Sequence, residues 1–337
     1  MVNGARANAI ISIEVNNNNY YQADHFEVTL SLSGQPQATN WAWWVAQKDL
    51  VVECFIGFPT DPNHFTEKEL DSLILGSVDS MEIDPVKNEI MLSGRDYTAK
   101  FIDARTTQKY VNQTSSQIAT TLATQNGLTA QVTTTKSRAG QYYAAENSKL
   151  AKAMPQWDLL TFLANQEGFD VYVKGTTLYF NPKATAGDSY ALQWNAKPTF
   201  NGMAINFTRD LSKAHDVYVL VRYTDIKNKK GLTVSDPQGK PGKAQQFIYN
   251  YKPATREQAL QFAQKQRAAI SQHEIKLSAS LPGDNILNAR TPIQVTGTGT
   301  AFDQTYYAES VERRLSKGGY TMNIRAKNHA TDSQVGI

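Results

Sequence analysis

The residue types that most often carry catalysis or bind metals are few in this chain and are not grouped. Its five histidines, at positions 25, 64, 215, 273 and 329, form none of the spacings that hold a metal ion. The chain also lacks a serine-nucleophile elbow, a phosphate-binding loop and a dinucleotide-binding glycine run. The sequence therefore predicts a protein that is not an enzyme and that uses no metal and no cofactor.

The single cysteine, Cys54, lies in the strand-like run Val51-Val52-Glu53-Cys54-Phe55-Ile56. It has no second cysteine with which to form an internal disulfide. Because free cysteines in apolar strands are usually small core residues, we interpret Cys54 as a buried structural thiol rather than a nucleophile.

Asp79 and Glu82 are the most prominent close carboxylate pair. They lie in an acidic, strand-rich segment, so a solvated strand face is favoured over acid–base chemistry. The two carboxylates of a glycosidase can come from distant parts of a chain. A hydrolase that degrades cell walls therefore stays open as a minor alternative.

The run Trp41-Ala42-Trp43-Trp44 is the most unusual cluster in the sequence. Side chains alternate in an extended segment, so an extended run would place at least one indole at the surface or at an interface. Three interpretations remain: a contact between subunits, burial in separate small cores, or a sugar-stacking patch.

Charge is distributed unevenly along the 337 residues, of which 41% are hydrophobic. Residues 1–95 carry a net charge of −8 and residues 96–337 a net charge of +11. This polarity predicts either a subunit oriented between unlike neighbours or two separately solvated surfaces. No run of about 18 apolar residues is present. Residues 1–9 also lack the apolar core of a signal peptide, so neither membrane insertion nor secretion is expected.

Hydrophobic periodicity divides the chain into three predicted domains. In residues 1–95, β-branched and aromatic residues alternate with polar ones, which is typical of a small β-barrel or sandwich. Strands are predicted at 10–15, 26–32, 50–58, 73–83 and 89–93, with breaks at 16–19, 33–36, 59–62 and 84–88.

Residues 96–190 predict a compact α+β module. Ser115 or Ser116 caps a helix that ends before Gly127. Pro155 opens a second helix, 157–167, which Gly168 ends, and a hairpin follows over 169–180. Over residues 107–181 this helix pair with a hairpin loosely resembles the peptidoglycan-binding LysM fold.

Residues 191–337 predict a second β domain with one inserted helix. Thr255 caps that helix and Gln258 completes a capping box. The stretch from Lys227 to Gly242 is rich in glycine, proline and lysine and predicts an exposed loop. Strands are predicted at 203–207, 217–223, 246–251, 274–281, 292–296, 305–313 and 320–325.

A weak internal repeat relates the two β domains. Chance similarity between two hairpins explains it equally well; if it is real, the chain carries two related small β-barrels, and three copies would close a ring with pseudo-sixfold character. Ser77-Val78-Asp79 precedes Ile90-Met91-Leu92, and Ser310-Val311-Glu312 precedes Met322-Asn323-Ile324, at offsets of 233 and 232 residues.

An ordered series of segments over roughly residues 70–330 resembles the central hub proteins of contractile phage baseplates. These are the phage late control gene D family, to which the N-terminal hub part of type VI secretion spike proteins is similar. The segments are Leu75-Gly76-Ser77-Val78 with Ile90-Met91-Leu92-Ser93-Gly94-Arg95-Asp96-Tyr97, then Ser115-Ser116-Gln117-Ile118-Ala119, Trp157-Asp158-Leu159-Leu160 with Tyr172-Val173-Lys174-Gly175, and Tyr307-Ala308-Glu309-Ser310-Val311-Glu312-Arg313 with Gly319-Tyr320-Thr321-Met322-Asn323.

The resemblance implies a homotrimer on the tail axis that joins the tail tube to the spike. Baseplate wedge proteins and the tape-measure protein are further implied partners, and DNA passes through the channel without specific binding. The implied location is the virion, after synthesis in the cytoplasm of a bacterial host. The family brings no catalytic residues, and residues 1–70 of this chain match nothing in it.

Two residue sets follow as candidates. Basic channel walls would hold DNA by its phosphates, so we predict that the acidic 1–95 region lines the channel. Asp79 and Glu82 are the candidate lining residues, and Trp41, Trp43 and Trp44 are the candidate subunit-contact residues. A peptidoglycan-binding tail module is the main alternative function.

Overall fold

The computed structural model describes residues 1–19, 21–108, 110, 112–136, 154–182, 189–194, 203–209, 217–224, 231–250, 256–272 and 275–328. Sequence predictions that rest on Thr255, on the side chain of Gln258, or on the histidines at 215, 273 and 329 fall outside that description. The chain forms two compact units. Unit 1 comprises Met1–Gly187, Leu281–Ala289 and Ser310–Asn323, and unit 2 comprises Asp188–Ser280, Arg290–Glu309 and Ile324–Ile337.

The fold is mainly β with an α+β insertion, which confirms the predicted class. Most predicted strands and helices are present within a few residues of their predicted bounds. The strands are β1 (Ile10–Asn18), β2 (His25–Ser31), β3 (Val51–Ile56), β4 (Asp71–Asp84), β5 (Glu89–Asp96), β6 (Arg105–Thr106), β7 (Thr129–Val132), β8 (Met154–Pro155), β9 (Phe169–Lys174), β10 (Thr177–Pro182), β11 (Tyr190–Gln193), β12 (Ala204–Arg209), β13 (Val217–Thr224), β14 (Gly231–Asp236), β15 (Gln245–Asn250), β16 (Ile275–Pro282), β17 (Pro292–Thr296), β18 (Thr305–Ser316) and β19 (Gly319–Lys327); the helices are α1 (Trp41–Ala46), α2 (Thr98–Asp103), α3 (Ser115–Gln125), α4 (Gln156–Glu167) and α5 (Arg256–Gln272).

The main sheet of unit 1 is antiparallel, with the strand order β18-β1-β2-β5-β4-β3. Its strands alternate between buried, mainly apolar residues and residues that are partly or fully exposed, so one face of the sheet is apolar. That face packs into one hydrophobic core, in which Val15, Leu30, Ile90 and Leu92 are fully buried.

A short hairpin at residues 2–5 covers the outer edge of β3. Asn3 and Gly4 both have positive φ, 48° and 76°, as a two-residue type I′ turn requires. Val2 pairs with Ala5 and with Val52, and Glu53 N donates to Met1 O at 3.1 Å. The Asn-Gly pair is a strong hairpin signal within residues 1–9, which are otherwise a polar segment with no predicted strand.

The α+β module of unit 1 has a hydrophobic core of its own, built around Ile118, Leu122, Leu160 and Phe180. The predicted helix pair and hairpin are confirmed, and Gly168 ends α4 with a φ of 71°. The cap of α3 is Thr114, in a capping box with Gln117, and not Ser115 or Ser116 as predicted. Both serines are buried instead: Ser115 donates to Glu167 Oε1 at 2.7 Å, and Ser116 bonds to Thr135.

Unit 2 contains two sets of strands. In one, β12 pairs with β16, and β17 pairs with both β11 and β18. In the other, the order is β14-β13-β15, and helix α5 covers one face of this sheet with Ala259 and Ala263 in the core. The predicted loop from Lys227 to Gly242 is wrong for residues 231–236, which form β14 and pair with β13.

Two other expectations are corrected. Residues 16–19 were predicted to form a turn that ends the first strand. Strand β1 instead continues to Asn18, because Asn17 Nδ2 and Asn18 N donate to the Asp24 carboxylate at 2.9 and 2.7 Å. The tryptophan run is helical rather than extended. The two segments of the internal repeat are both hairpins, β4–β5 and β18–β19. Among the described residues the strand pairings close neither unit into a ring, and the three-domain division stays a prediction.

Candidate functional site on the first sheet

The solvent-facing side of the unit 1 sheet, called the outer face below, is strongly acidic. It lies opposite the apolar core and runs across β18, β1, β2, β5 and β4. Strand register places Glu14 opposite both Arg314 and Glu27, and Glu82 opposite Met91. The charged residues of the outer face are Glu14, Glu27, Asp79, Glu82, Asp84, Glu89, Arg95, Glu312 and Arg314.

A β-bulge in β4 places both predicted channel-lining residues, Asp79 and Glu82, on the outer face. Val78 pairs with Gly94 and Ser80 pairs with Ser93, which leaves Asp79 as the extra residue between them. In a regular strand, residues three apart point to opposite faces. The bulge resets the alternation, so Met81 and Ile83 face the core and Asp79 and Glu82 both face outward and are exposed.

Like charges meet at one point on the outer face. Glu14 and Glu27 are direct cross-strand neighbours, an arrangement that is destabilising unless a cation is close. Burial raises the pKa of Glu14, and the carboxylates of Glu312 and Glu27 raise it further, while Arg314 lowers it. Arg314 Nη1 lies 3.8 Å from Glu14 Oε2, so the cluster is partly neutralised at its β18 side.

Asp79 does not project into solvent as a free carboxylate. Arg95 donates two hydrogen bonds to the Asp79 carboxylate, from Nε to Oδ2 at 2.6 Å and from Nη2 to Oδ1 at 3.0 Å. Arg95 also binds Asp103, with Nη2 to Oδ2 at 2.9 Å. Such bidentate pairs are stronger and more directional than single ion pairs. Asp79 therefore ties the bulge to α2, while Glu82 is the freely exposed member of the predicted pair.

The run Gly94-Arg95-Asp96 has a structural role at each position. A side chain on Gly94 would come within 2.1 Å of Ser77 O, so only glycine fits between β4 and Phe26. Asp96 is 7% exposed and accepts a hydrogen bond from Thr98 Oγ1 at 2.8 Å, at the start of α2. Burial and the nearby Asp24 carboxylate raise the pKa of Asp96 to about 8.

The three tryptophans lie in different environments. Asn40 caps α1 by accepting from Trp43 N at 3.1 Å. Trp44 faces the core and is 2% exposed, and the ring of Trp43 packs edge-on against it at 4.8 Å. Trp41 is 42% exposed and lies on the same face of α1 as Val45, which is 64% exposed. The interpretation of a buried ring holds for Trp44, and subunit contact stays a prediction for Trp41 and Trp43.

A cavity of about 360 Å³ in unit 1 is lined by residues of the N-terminal segment, of β1, β2 and β3, and of the segment from Phe65 to Leu70. Cys54 is among its lining residues and is 3% exposed, which confirms a buried thiol. Burial raises the pKa of Cys54 to about 12, so the nucleophilic thiolate is scarce at neutral pH. The lining is mostly apolar and includes Val2, Ile10, Val52, Phe65 and Leu70.

Within the described ranges, no three His, Cys, Asp or Glu side chains come together in a way that would hold a metal ion. The described helices also include none that is long and apolar enough to cross a membrane. Of the histidines that are described, His25 is exposed on the outer face and His64 pairs with Asp61 at 3.0 Å.

Solved structures of phage tail proteins share this architecture. A 43 kDa tail protein of prophage MuSo2 from Shewanella oneidensis superposes with a TM-score of 0.71 at 17% identity, covering 99% of this chain and 98% of that one. A tail protein from Neisseria meningitidis MC58 superposes with a TM-score of 0.67 at 15% identity, covering 98% and 96%. The chain has the phage tail-protein fold.

A type VI secretion protein also has this tail-protein fold. The c3393 protein of E. coli, a component of that system with structural similarity to the T4 tail proteins gp27 and gp5, gives a TM-score of 0.54 at 12% identity, over 98% of this chain and 77% of that one. No protein-family profile and no curated protein matches the chain by sequence. The predicted likeness to baseplate hub proteins is thus confirmed at the level of the fold.

Sequence reasoning found part of the outer face. It selected Asp79 and Glu82, but it missed Glu14, Glu27 and Glu312, although Glu14 and Glu27 each lie between two apolar residues in a predicted strand. It also missed the role of Arg95 as the partner of Asp79, since the two lie 16 positions apart and on different strands.

Proposed function

We propose that this protein is the structural, non-enzymatic hub of a contractile phage-type tail baseplate, located in the virion. Three copies form a ring that connects the tail tube to the spike, and the outer face of the unit 1 sheet lines the channel. The observation that carries the proposal is the likeness to tail proteins from two bacteria over 98–99% of the chain.

The acidic outer face supports the channel part of the proposal. DNA passing through a narrow channel would be held by basic walls, because each neutralised phosphate releases counterions and adds affinity. Glu27 and Glu82 are exposed, and Glu14 and Glu312 are partly exposed beside them. A wall of this composition repels phosphates and lets DNA move without specific binding.

Particles that carry Glu27→Lys with Glu82→Lys test the channel role. We expect normal assembly and slower genome ejection, measured as the rate of DNA release after triggering. Asp49→Lys with Glu257→Lys is the matched control, because both residues are exposed and neither belongs to a strand of the outer face. Unchanged ejection in the first variant, or equal slowing in the control, would contradict the role.

The hub role further requires a trimer. Sedimentation equilibrium of the purified chain should give three times the 37.5 kDa chain mass. The exposed apolar face of α1, formed by Trp41 and Val45, is proposed as one subunit contact. Trp41→Ser should weaken the trimer, whereas Trp44→Phe should leave it intact, because Trp44 is buried in the core.

A peptidoglycan-binding tail module is the second candidate, and one feature of the α+β module favours it. Tyr172 and Tyr179 stack across β9 and β10 with ring centroids 4.8 Å apart and 3° between the ring planes. Partly exposed aromatic rings on a polar sheet are suited to stacking on sugars. Co-sedimentation with purified cell wall, lost in Tyr179→Ala, would support this candidate, and the protein staying in the supernatant would exclude it.

A further inference from the structure

The loop of residues 283–289, called the anchor loop here, is held along its whole length. Arg313, 2% exposed, donates from Nε to Asp284 O at 2.7 Å and from Nη2 to Leu287 O. The Asp284 carboxylate accepts from the backbone N–H groups of Ile286 and Leu287, at 3.0 and 3.2 Å. Leu287 is 1% exposed and anchors the far side of the turn in unit 1.

Two further side chains, Asn285 within the loop and Tyr320 outside it, fix the anchor loop to the rest of unit 1. Asn285 Nδ2 donates to Ile56 O and to Asp71 Oδ2, both at 2.8 Å. Tyr320 donates from its hydroxyl to Asn285 Oδ1 at 2.7 Å, and its backbone carbonyl accepts from Gly283 N at 2.9 Å. The tip of the loop is therefore rigid before any partner arrives.

The side chain at that tip is apolar and open to solvent. Ile286 is 79% exposed although its neighbours in the turn are fixed by hydrogen bonds. Phe58 is 69% exposed and packs on the ring of Tyr320 with centroids 5.9 Å apart. A rigid apolar group loses little conformational entropy on binding, which is typical of the residues that dominate interface energies.

Carboxylates outnumber basic side chains in the hydrogen-bond network of the anchor loop and in the segment that follows Phe58. Asp71 and Asp284 lie in the loop's own hydrogen-bond network, and Asp61, Glu67 and Glu69 follow Phe58 in the chain. A complementary surface would offer an apolar recess with basic residues around it. Residues 96–337 of this same chain carry a net charge of +11, against −8 for residues 1–95.

We infer that the anchor loop, with Ile286 and Phe58, docks into a second copy of this chain, on a surface contributed by the basic side chains of residues 96–337 outside the loop. The contact is heterologous, since an acidic surface of one copy meets a different, basic surface of the next. Repetition of such a contact closes into a ring. The inference rests on the proposed trimer and names the residues that would hold it together.

Sedimentation velocity of the full chain over a range of concentrations tests the inference. Ile286→Asp should weaken self-association by about tenfold or more, because it removes the burial of one large apolar side chain and leaves a carboxylate to be desolvated in the apolar recess. Ile286→Ala should weaken it less. Raising the salt concentration should also weaken self-association, since the contact joins opposite charges.

Val86→Asp is the matched control. Val86 is 90% exposed at the tip of the β4–β5 turn, and its N–H donates to Asp84 Oδ1 at 2.9 Å, as Ile286 N–H does to Asp284. The control should leave self-association unchanged. A thermal melt that matches the parent protein shows that each variant is folded.

The outcomes separate the inference from the proposed hub function. If the parent protein forms trimers and Ile286→Asp forms them with the same strength, the inference is overturned and the hub proposal stands. A parent protein that stays monomeric at every concentration overturns both the trimer and the contact. Equal weakening in Val86→Asp, or no dependence on salt, also overturns the inference.

Discussion

Asp79 and Glu82 lie three residues apart on β4, yet they differ in what holds them. The Asp79 carboxylate is bound at both oxygens by Arg95, which also reaches Asp103. Glu82 is exposed, and its cross-strand neighbour is Met91. At the scale of the residue, one carboxylate is part of the fold and the other is available to define the surface charge.

This difference predicts opposite outcomes for the same substitution. Asp79→Lys removes a bidentate pair and places two cations together, so we expect the free energy of unfolding to fall by about 1–3 kcal/mol. Glu82→Lys should change it by less than about 0.5 kcal/mol. Urea unfolding of the two variants measures both values. Equal stability of the two variants would contradict the role assigned to Arg95.

Asp96 predicts a dependence of stability on pH. Its pKa in the folded protein, about 8, lies above the ordinary value of 3.8, so the folded state holds this proton more tightly than the unfolded state does. The stabilisation from this group is complete below the ordinary value and is lost as the pH rises towards the folded value.

Asp96→Asn cannot ionise and so removes this dependence. Between pH 5 and pH 8 the variant should gain stability relative to the parent, by no more than about 1.4 kcal/mol per pH unit. Urea unfolding across that range is the measurement. Asp49→Asn, at an exposed position, is the control, and parallel profiles of parent and Asp96→Asn would refute the assignment.

At the scale of the element, close strand packing decides where β4 and β5 lie. A Cβ on Gly94 would stand 2.1 Å from Ser77 O and 2.6 Å from the Phe26 ring. Backbone atoms cannot move away cheaply, so a larger residue would force the two strands apart. The neighbouring bulge at Asp79 depends on this register.

Gly94→Ala should therefore lower the free energy of unfolding by about 1–3 kcal/mol. Gly231→Ala, in β14, should change it by less than about 0.5 kcal/mol, because no atom lies within 4 Å of the added methyl group. Guanidinium unfolding of both variants tests the contrast. A small effect at Gly94 would mean that the two strands can separate without loss.

At the scale of the whole molecule, the outer face predicts how the protein treats DNA. The parent trimer should not retard double-stranded DNA in a gel at physiological salt, because carboxylates predominate on this face and the next copy covers the basic surface in the inferred contact. Glu14→Lys, Glu27→Lys and Glu82→Lys combined should retard it, and the affinity should fall steeply as salt increases. Retardation of DNA by the parent protein would contradict the proposal that the channel wall does not bind DNA.

Much of the secondary structure could be read from the sequence, because alternation and capping are local signals. Strands β1 to β5 follow the alternation of apolar and polar residues, and Gly168 marks the end of α4. The tryptophan helix was missed because the run carries no helical periodicity of polar residues. Thr114 was passed over as a cap because two serines follow it and only the fold shows that both are buried.

Neighbouring residues and composition are enough to predict the mainly β class, the helix pair, the acidic first part of the chain and the resemblance to tail hub proteins. Which carboxylates share a face depends on the folded sheet, because a single bulged residue reverses the alternation after Asp79. The tertiary structure also decided that Arg95 neutralises Asp79 and that Arg313 and Tyr320 hold Ile286 at the surface. These contacts join residues that are distant in the chain, so the local pattern of apolar and polar residues does not predict them.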